Sequence, residues 1–533
     1  MRSSEPGTSG NGTTAYNLEA ELKLGGRPET LDTAWQAHLG SRGRVTEKHL
    51  VSTYFDTSDL RLQRKGFTLR IRRNGKGLVQ TLKADGGGAA GLMARGEWSA
   101  PVPSLTPDLS KIDDTDVLER LGLILPSELA PVFTTDVTRR IKTVTTSGRG
   151  KPRAVIEVAL DQGEIRTDDA REPISEIEFE LLEGAPQALY AYAAALHAKT
   201  PLQIETVSKA TRGYALAAAQ RHAGSRADGL DLAPDATLDA AMGRVFRACG
   251  QHWLANHAAV LDGSDPEGVH QMRVALRRLR SALSLFKGVL SPDDATWLQT
   301  EAKALIGDLG AARDWDVFSD ELLQPVIDAR PDDSDLKALR VAVEDARRSG
   351  YDRARAALQS PRYTAFVLEF NAWLEGYGWR NHQSAAELER PLIDLADRLL
   401  QKRHKTAMKL GRRFKHLSDE ALHELRIALK KLRYAAEFFA SLYAKKRSKP
   451  YIKALRQLQD DLGHLNDVAV AEVRLRGLTD AGSSNSLGTL TTGAGLVLGW
   501  YAQALEAVRP RIAGDWHRFV DTKPFWQQHR QGA

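Results

Sequence analysis

Along residues 18–165 apolar and polar side chains alternate in short runs broken by Gly, Asn, Asp and Pro. A period of two is the pattern of antiparallel strands with one face turned to a core. The runs at 18–24, 67–72, 78–83, 154–160 and 175–182 predict strands, whereas 28–39 and 186–198 have helical spacing and predict helices packed outside the sheet. An α+β domain with an antiparallel core is expected up to about residue 222. Residues 223–236, rich in Gly, Asp, Pro and Ser, read as a linker, and everything after them reads as helix. Residues 1–17 lack apolar patterning and read as a disordered tail.

The helical part, 237–525, repeats itself. The segment carrying His270, Arg273, Arg277 and Arg280 recurs 153 residues later with His423, Arg426, Lys430 and Arg433. Leu309-Gly310 with Arg313-Asp314 recurs at the same offset as Leu462-Gly463 with Asn466-Asp467. Two separated matches at one offset predict a duplicated helical unit.

The alternation also sorts charge. In the first strand Glu19, Glu21 and Lys23 share one face, and Leu18, Ala20, Leu22 and Leu24 share the other. Glu176, Glu178 and Glu180 align in the same way against Ile177, Phe179 and Leu181. Basic counterparts stand at Arg70 and Arg72, at Lys83, and at Arg95 beside Glu97. Like charges side by side on a sheet repel unless something of opposite sign lies between them. Hard Mg²⁺ or Mn²⁺ takes carboxylate oxygens, and Arg and Lys neutralise phosphate, so opposed acidic and basic strands suit a metal-phosphate site. A merely solvated face explains any one such strand; five in one domain argue against it.

These residues resemble the CYTH domains of the triphosphate tunnel metalloenzymes, whose mark is the spacing of Glu19, Glu21 and Lys23. Tyr54-Phe55-Asp56-Thr57, the strand from Gly66 through Arg72, Thr81-Leu82-Lys83, Arg95-Gly96-Glu97, Asp161, the acidic strand and Ser208-Lys209 extend the match to about Tyr214. The resemblance implies a closed eight-stranded barrel whose polar interior holds a triphosphate and one or two divalent ions. It implies Glu19, Glu21, Glu176, Glu178 and Glu180 as metal ligands, with Glu97 and Asp161 toward a second ion. Lys23, Arg70, Arg72, Lys83, Arg95, Arg139 and Lys209 would contact phosphate, with Lys23, Lys83 and Lys209 as catalytic cations; Arg140 competes with Arg139 for the inward position. Attack by a metal-oriented water needs no side-chain nucleophile.

In the repeat helix, positions 270, 273, 277 and 280 fall within about 80° of arc beside an apolar stripe. This half resembles the CHAD domain, which implies two four-helix bundles whose basic surfaces bind inorganic polyphosphate through His270, Arg273, Arg277, Arg280, His423, Arg426, Lys430 and Arg433. Few aromatics interleave with these positions, so nucleic acid is not an expected partner.

Composition narrows the setting. A chain of 533 residues exceeds one core, and 42% apolar with 27% charged residues is ordinary globular usage. A single cysteine, Cys249, excludes an internal disulfide. No stretch reaches a membrane span and no signal peptide is read, so a cytoplasmic protein, free or on polyphosphate granules, is expected. The expected activity is hydrolysis of tripolyphosphate. Thiamine or nucleoside triphosphate hydrolysis, class IV adenylyl cyclase activity and non-catalytic polyphosphate binding are the competing readings.

Overall fold

The alternating runs become eight antiparallel strands in a computed structural model that describes residues 20–39, 44–75, 77–85, 95–148, 151–480 and 487–527. Glu19, the tail expected at residues 1–17 and the glycines at 86–88 lie outside these. The strands are β1 (Ala20–Gly25), β2 (Thr46–Asp56), β3 (Phe67–Asn74), β4 (Gly77–Asp85), β5 (Arg95–Val102), β6 (Ala130–Gly148), β7 (Lys151–Arg166) and β8 (Arg171–Glu183). Their order is β5-β4-β3-β2-β6-β7-β8-β1. A closed barrel has no edge strands, whereas among the described residues this sheet keeps two, so the expected closed barrel is an open sheet. The inward face of the alternation survives this change, because it depends on pleat and register and not on closure.

The opposite face makes the core. Leu69, Ile71 and Leu82 pack with Val117 and Leu121 in one cluster, and Leu22, Leu24, Ile177 and Phe179 are fully buried. The helix Pro28–His38 opens on a proline at its first turn and buries Leu31, Ala34 and Trp35. Burying side chains of this size contributes about 1.5–3 kcal/mol each.

Two compact units divide the chain, residues 1–192 with 207–220, and 193–206 with 221–533. In the second, the repeat is visible as architecture. Helices Pro266–Leu285 and Pro292–Asp308 are followed 153 residues later by Asp419–Phe439 and Lys445–Asp480; Ser334–Leu358 corresponds to Leu487–Asp521, and Leu238–Ala255 to Leu392–Leu410, one residue out of step. Each copy thus supplies four long helices, with Pro361–Glu375 and shorter turns added between them. Asp265 and Ser418, at equivalent places, cap the two basic helices by accepting from backbone N–H groups. Those two helices pack against each other.

The expected linker is fastened to the helical unit. Gly224 N donates to Asp265 at 2.7 Å, Ser225 N to Asn256 at 2.8 Å and Leu232 N to Ser441 at 2.8 Å. Leu232 is buried. Polar composition did not announce this, because one apolar anchor and three satisfied backbone donors are enough to dock a chain that has no regular structure.

Candidate active site

Register brings the charged positions together. Lys23 lies opposite Glu178 and Glu21 opposite Glu180 across β1 and β8. Asp161 lies opposite Glu176 across β7 and β8, and Arg139 opposite Asp161 across β6 and β7. Directly opposed residues share a face, so four strands deliver these carboxylates and cations to one place.

Asp161, Glu176 and Glu178 form the centre, with one oxygen from each lying within 4.8 Å of the others. Lys209, the first residue of the helix Lys209–Ala217, reaches all three: 2.6 Å to Asp161, 2.5 Å to Glu176 and 2.8 Å to Glu178. Lys23 sits 3.0 Å from Glu178, 3.4 Å from Glu21 and 3.9 Å from Glu176. Arg139 donates through Nε to Asp161 at 2.7 Å and pairs with Glu178 as well. Asp161 is wholly inaccessible and Glu176 only 1% exposed.

The protonation states follow from this packing. Burial opposes the charge on Lys23 and Lys209, but the surrounding carboxylates outweigh it and hold both ammonium groups above their usual range. Burial would likewise neutralise Glu178, yet Lys209, Lys23 and Arg139 keep its carboxyl well below the ordinary value. Glu21 goes the other way: burial raises it, and its contact with Glu178 adds to the effect against the pull of Lys23.

The neighbouring strands carry a different balance. Arg70 and Arg72 stand opposite Tyr54 and Ser52 on β2, and Arg72 Nε donates to Ser52 Oγ at 2.8 Å. Neither arginine makes an ion pair with a described residue, and Arg70 Nε is buried without a hydrogen-bond partner. Burial, with Arg70 and Arg139 nearby, pushes Arg72 down to about 10. The site therefore has a compensated half and an uncompensated basic half.

Several expected residues fall elsewhere. Glu97 is engaged by Lys83 at 2.7 Å across β4 and β5, away from the central carboxylates, whereas Asp161, expected beside Glu97, belongs to the centre. Arg140 points away and pairs with Asp32 on the outer helix, leaving Arg139 inward. Arg95 occupies its register position opposite Asp85. Glu180 lies opposite Glu157 on β7, outside the central group.

Three contributors were missed. Arg212 pairs with Glu172 at 2.6 Å and Glu176 at 3.3 Å; its place three residues after Lys209, on the same helical face, was the available signal. Ser52 and Tyr54 support the arginines from β2, and only strand order makes them neighbours.

In the helical unit the two copies pool their basic residues. Lys430 is pushed down to about 7 by burial and then by Arg426, Arg277, Arg433 and Arg273. Arg273 Nη1 donates to Ile306 O at 2.9 Å, while the buried Nε atoms of Arg273 and Arg277 have no hydrogen-bond partner among the described residues. His270 is pushed down to about 4 by burial and by Arg313, Arg277 and Arg273. His423 bonds Asn466 at 3.2 Å. Arg280 and Arg433 are committed locally, donating to Gln299 at 3.0 Å and Gln459 at 2.9 Å.

Comparison with known proteins adds the ancestry. A protein of Haemophilus influenzae described as an inorganic triphosphatase is 36% identical over 205 residues, covering 38% of this chain and 56% of that one. An uncharacterized protein of Mycobacterium tuberculosis is 29% identical over 251 residues, covering 46% of this chain and 47% of its own. The chain thus spans about half the length of these curated relatives. The crystal structure of the CHAD domain from the plant Ricinus communis is 35% identical, covering 55% of this chain and 97% of that one with a TM-score of 0.48. No helix among the described residues is long and apolar enough to cross a membrane. Matches to the two family descriptions place a CYTH domain at residues 17–214 and a CHAD domain at residues 244–476, so the chain carries a CYTH domain followed by a CHAD domain.

Proposed function

We propose that the CYTH domain hydrolyses inorganic triphosphate to pyrophosphate and phosphate with the help of Mg²⁺ or Mn²⁺, and that the CHAD domain binds longer inorganic polyphosphate. One observation carries the first half: a buried carboxylate centre stands beside Arg70 and Arg72, neither of which makes an ion pair with a described residue, and Arg70 Nε lacks a hydrogen-bond partner among them. The relative described as an inorganic triphosphatase, 36% identical over the matched region, supports the choice of substrate.

The donor set suits a hard divalent ion, since it offers carboxylate oxygen and no sulfur. Asp161, Glu176 and Glu178 would hold the ion, with Glu21 beside them and Glu19 of the expected pair outside the described residues. Such an ion, when bound, polarises a phosphoryl oxygen and acidifies a water. The remaining work falls to the chain's own cations. Arg70 and Arg72 present guanidinium forks to one end of a triphosphate. Lys23, Lys209 and Arg139, held charged at neutral pH, meet the charge that develops on the transferred and leaving phosphates. Because Lys23 and Arg139 are fixed by strand register and Lys209 by the start of its helix, little reorganisation is needed at the moment of reaction.

For the CHAD domain the supporting observation is the cluster of Arg273, Arg277, Arg426 and Lys430 drawn from two helices. A polymer carrying about one charge per phosphate relieves their mutual repulsion and binds more weakly as salt rises.

The test is phosphate release from tripolyphosphate, ATP, thiamine triphosphate and long-chain polyphosphate, with Mg²⁺, with Mn²⁺ and after chelation. Metal-dependent release from tripolyphosphate above the others is expected. Absence of release from any substrate, with tight binding of the long polymer, would leave the sheet as a non-catalytic grip.

A further inference from the structure

The second copy of the helical repeat carries a basic face that the first copy lacks. On the helix Leu392–Leu410, Arg398, Lys402, Lys405 and Lys409 fall within about 60° of arc and run along about 16 Å of the helix. All four are exposed, and with Gln401 and Thr406 they line an open groove of about 510 Å³. None of Arg273, Arg277, Arg426 and Lys430, the cluster described above, lines it. Arg398 Nε donates to the backbone oxygen of Asp394 at 3.3 Å, and none of the four groove cations makes an ion pair with a described residue.

The duplication separates what the fold requires from what it does not. The helix Leu238–Ala255 is the same element in the first copy, 154 residues earlier, and its buried Met242, Phe246 and Trp253 match the buried Ala396, Leu400 and Ala407. At the four groove positions it has Arg244, Ala248, Gln251 and Ala255, one cation in place of four. Cations one turn apart on a helix repel, so the stripe weakens the helix that carries it. The next element repeats the contrast. His404 Nδ1, on the stripe's helix, and Tyr451 Oη lie 2.9 Å apart in a hydrogen bond that ties it to the first turns of Lys445–Asp480. That helix opens on Lys445, Lys446, Arg447 and Lys449, all exposed, where the first copy has Pro292, Asp293, Asp294 and Thr296. Acids suit a helix start, and cations there oppose the helix dipole. In both places the second copy holds positive charge that its fold does not need and that lowers its stability.

We infer that the groove along Arg398, Lys402, Lys405 and Lys409 is a second binding track for inorganic polyphosphate, so that a long chain is held at two places on one helical unit. The inference rests on the polyphosphate reading of the CHAD domain. The lining selects the ligand class. Four cations, an amide and a hydroxyl suit a linear anion with a regular repeat of charge. No aromatic side chain lines the groove, so a nucleic acid finds nothing on which to stack its bases. No apolar side chain lines it either, since Leu392, Leu400 and Ala407 are buried, so a lipid surface gains no insertion. The packing joins the track to the cluster: the stripe's helix packs against Asp419–Phe439, and its Arg403 donates to Ser284 Oγ on Pro266–Leu285 at 3.1 Å. A chain long enough to reach both sites meets the second at high local concentration and gains avidity, and a short chain does not.

The experiment is equilibrium binding of polyphosphate fractions of graded length to the full chain, with divalent ions chelated so that no polymer is hydrolysed. Wild type is compared with the triple variant Lys402→Ala, Lys405→Gln and Lys409→Ala, which installs the first copy's own residues. A control removes the same charge from exposed positions elsewhere on the unit through Lys287→Gln, Lys303→Gln and Arg353→Gln. The stripe variant is expected to lose about tenfold in affinity for the longest chains and less than about twofold for the shortest, with its long-chain salt slope lower by about two. The control is expected to follow wild type at every length. Equal affinities of wild type and stripe variant at all lengths would overturn the inference with polyphosphate binding by the cluster intact. Equal losses in the stripe variant and the control, the mark of diffuse attraction, would overturn it as well. A stripe variant that loses binding to single-stranded DNA or to phosphatidylserine vesicles, yet keeps its long-chain polyphosphate affinity, overturns it in favour of that ligand. Absence of polyphosphate binding by wild type would overturn the underlying reading instead. Should the triple variant fail to fold, Lys405→Gln alone is expected to cost about twofold in long-chain affinity, and an unchanged value overturns the inference.

Discussion

The two charged regions of this protein solve the same problem in opposite ways. On the CYTH sheet, Lys23, Lys209 and Arg139 are locked to Asp161, Glu176 and Glu178, and the resulting field holds the three cations and Glu178 in their charged forms. On the CHAD helices, Arg273, Arg277, Arg426 and Lys430 make no ion pair with a described residue, and the field of their neighbours drives Lys430 toward neutrality. The first arrangement is pre-organised: the ligand enters geometry that already exists. The second is held against repulsion, and the ligand supplies the missing countercharge. Catalysis gains from the former because fixed charges need not reorganise; binding of a long and irregular polymer gains from the latter because any stretch of the chain will serve.

The largest effect separating the regions should come from Glu178→Gln. It leaves Lys23, Lys209 and Arg139 short of a buried partner, which typically costs about 3–5 kcal/mol, and turnover of tripolyphosphate should fall by about 10²–10³-fold. Polyphosphate affinity of the same protein should be unchanged. A variant that keeps its turnover would remove Glu178 from the site.

Next in size is the double reversal Arg277→Glu with Arg426→Glu, which should weaken polyphosphate binding by about 10²-fold and flatten its dependence on salt. Triphosphate turnover is expected to hold. Affinities measured between 50 and 500 mM salt check both statements, and an unaltered salt slope would show that the polymer lands elsewhere.

Stability against pH should sharpen the contrast. Glu178 has a depressed folded value, so its contribution is present above its unfolded value near 4.3 and is lost as pH falls through the folded one. Lys430, also depressed, binds fewer protons folded than unfolded between about 7 and 10.4, so the helical unit gains stability as pH rises across that window. Denaturant midpoints read from amide protection in β8 and in Asp419–Phe439 should therefore move in different pH ranges. A helical midpoint that drops between pH 7 and 9 contradicts this.

The smallest effects mark the edges of each site. Arg280→Ala should change polymer binding less than twofold while costing about 1 kcal/mol through the lost bond to Gln299. Arg140→Ala breaks only its outer pair with Asp32 and should cost about 0–1 kcal/mol with turnover retained; Arg139→Ala should abolish turnover. Reversed outcomes for these two would mean that the register of β6 is shifted by one residue.

Much of this was legible before any coordinates. Alternation located the strands that carry Lys23, Arg70, Lys83, Asp161 and Glu178, because a period of two is imposed by the pleat itself. The offset of 153 located the duplicated helices, with the starts at Pro266 and Asp419, and at Pro292 and Lys445, falling at that spacing. What did not show was which charges would meet. Glu97 and Asp161 looked like partners for one ion, yet strand order gave Glu97 to Lys83 and Asp161 to Glu176. The eight basic and histidine positions of the repeat looked equivalent, but Gln299 and Gln459 remove Arg280 and Arg433 from the shared cluster.

The sequence by itself determined which residues face together within one element, since that follows from the periods of strand and helix. It also determined the two families and the duplication. Only the tertiary structure decided which faces meet, because contacts between elements depend on ladder order, register and helix packing that no local period encodes. That is why Glu178 is held ionised and Lys430 is driven toward neutrality, though both sit among oppositely patterned runs of charge that look alike on paper.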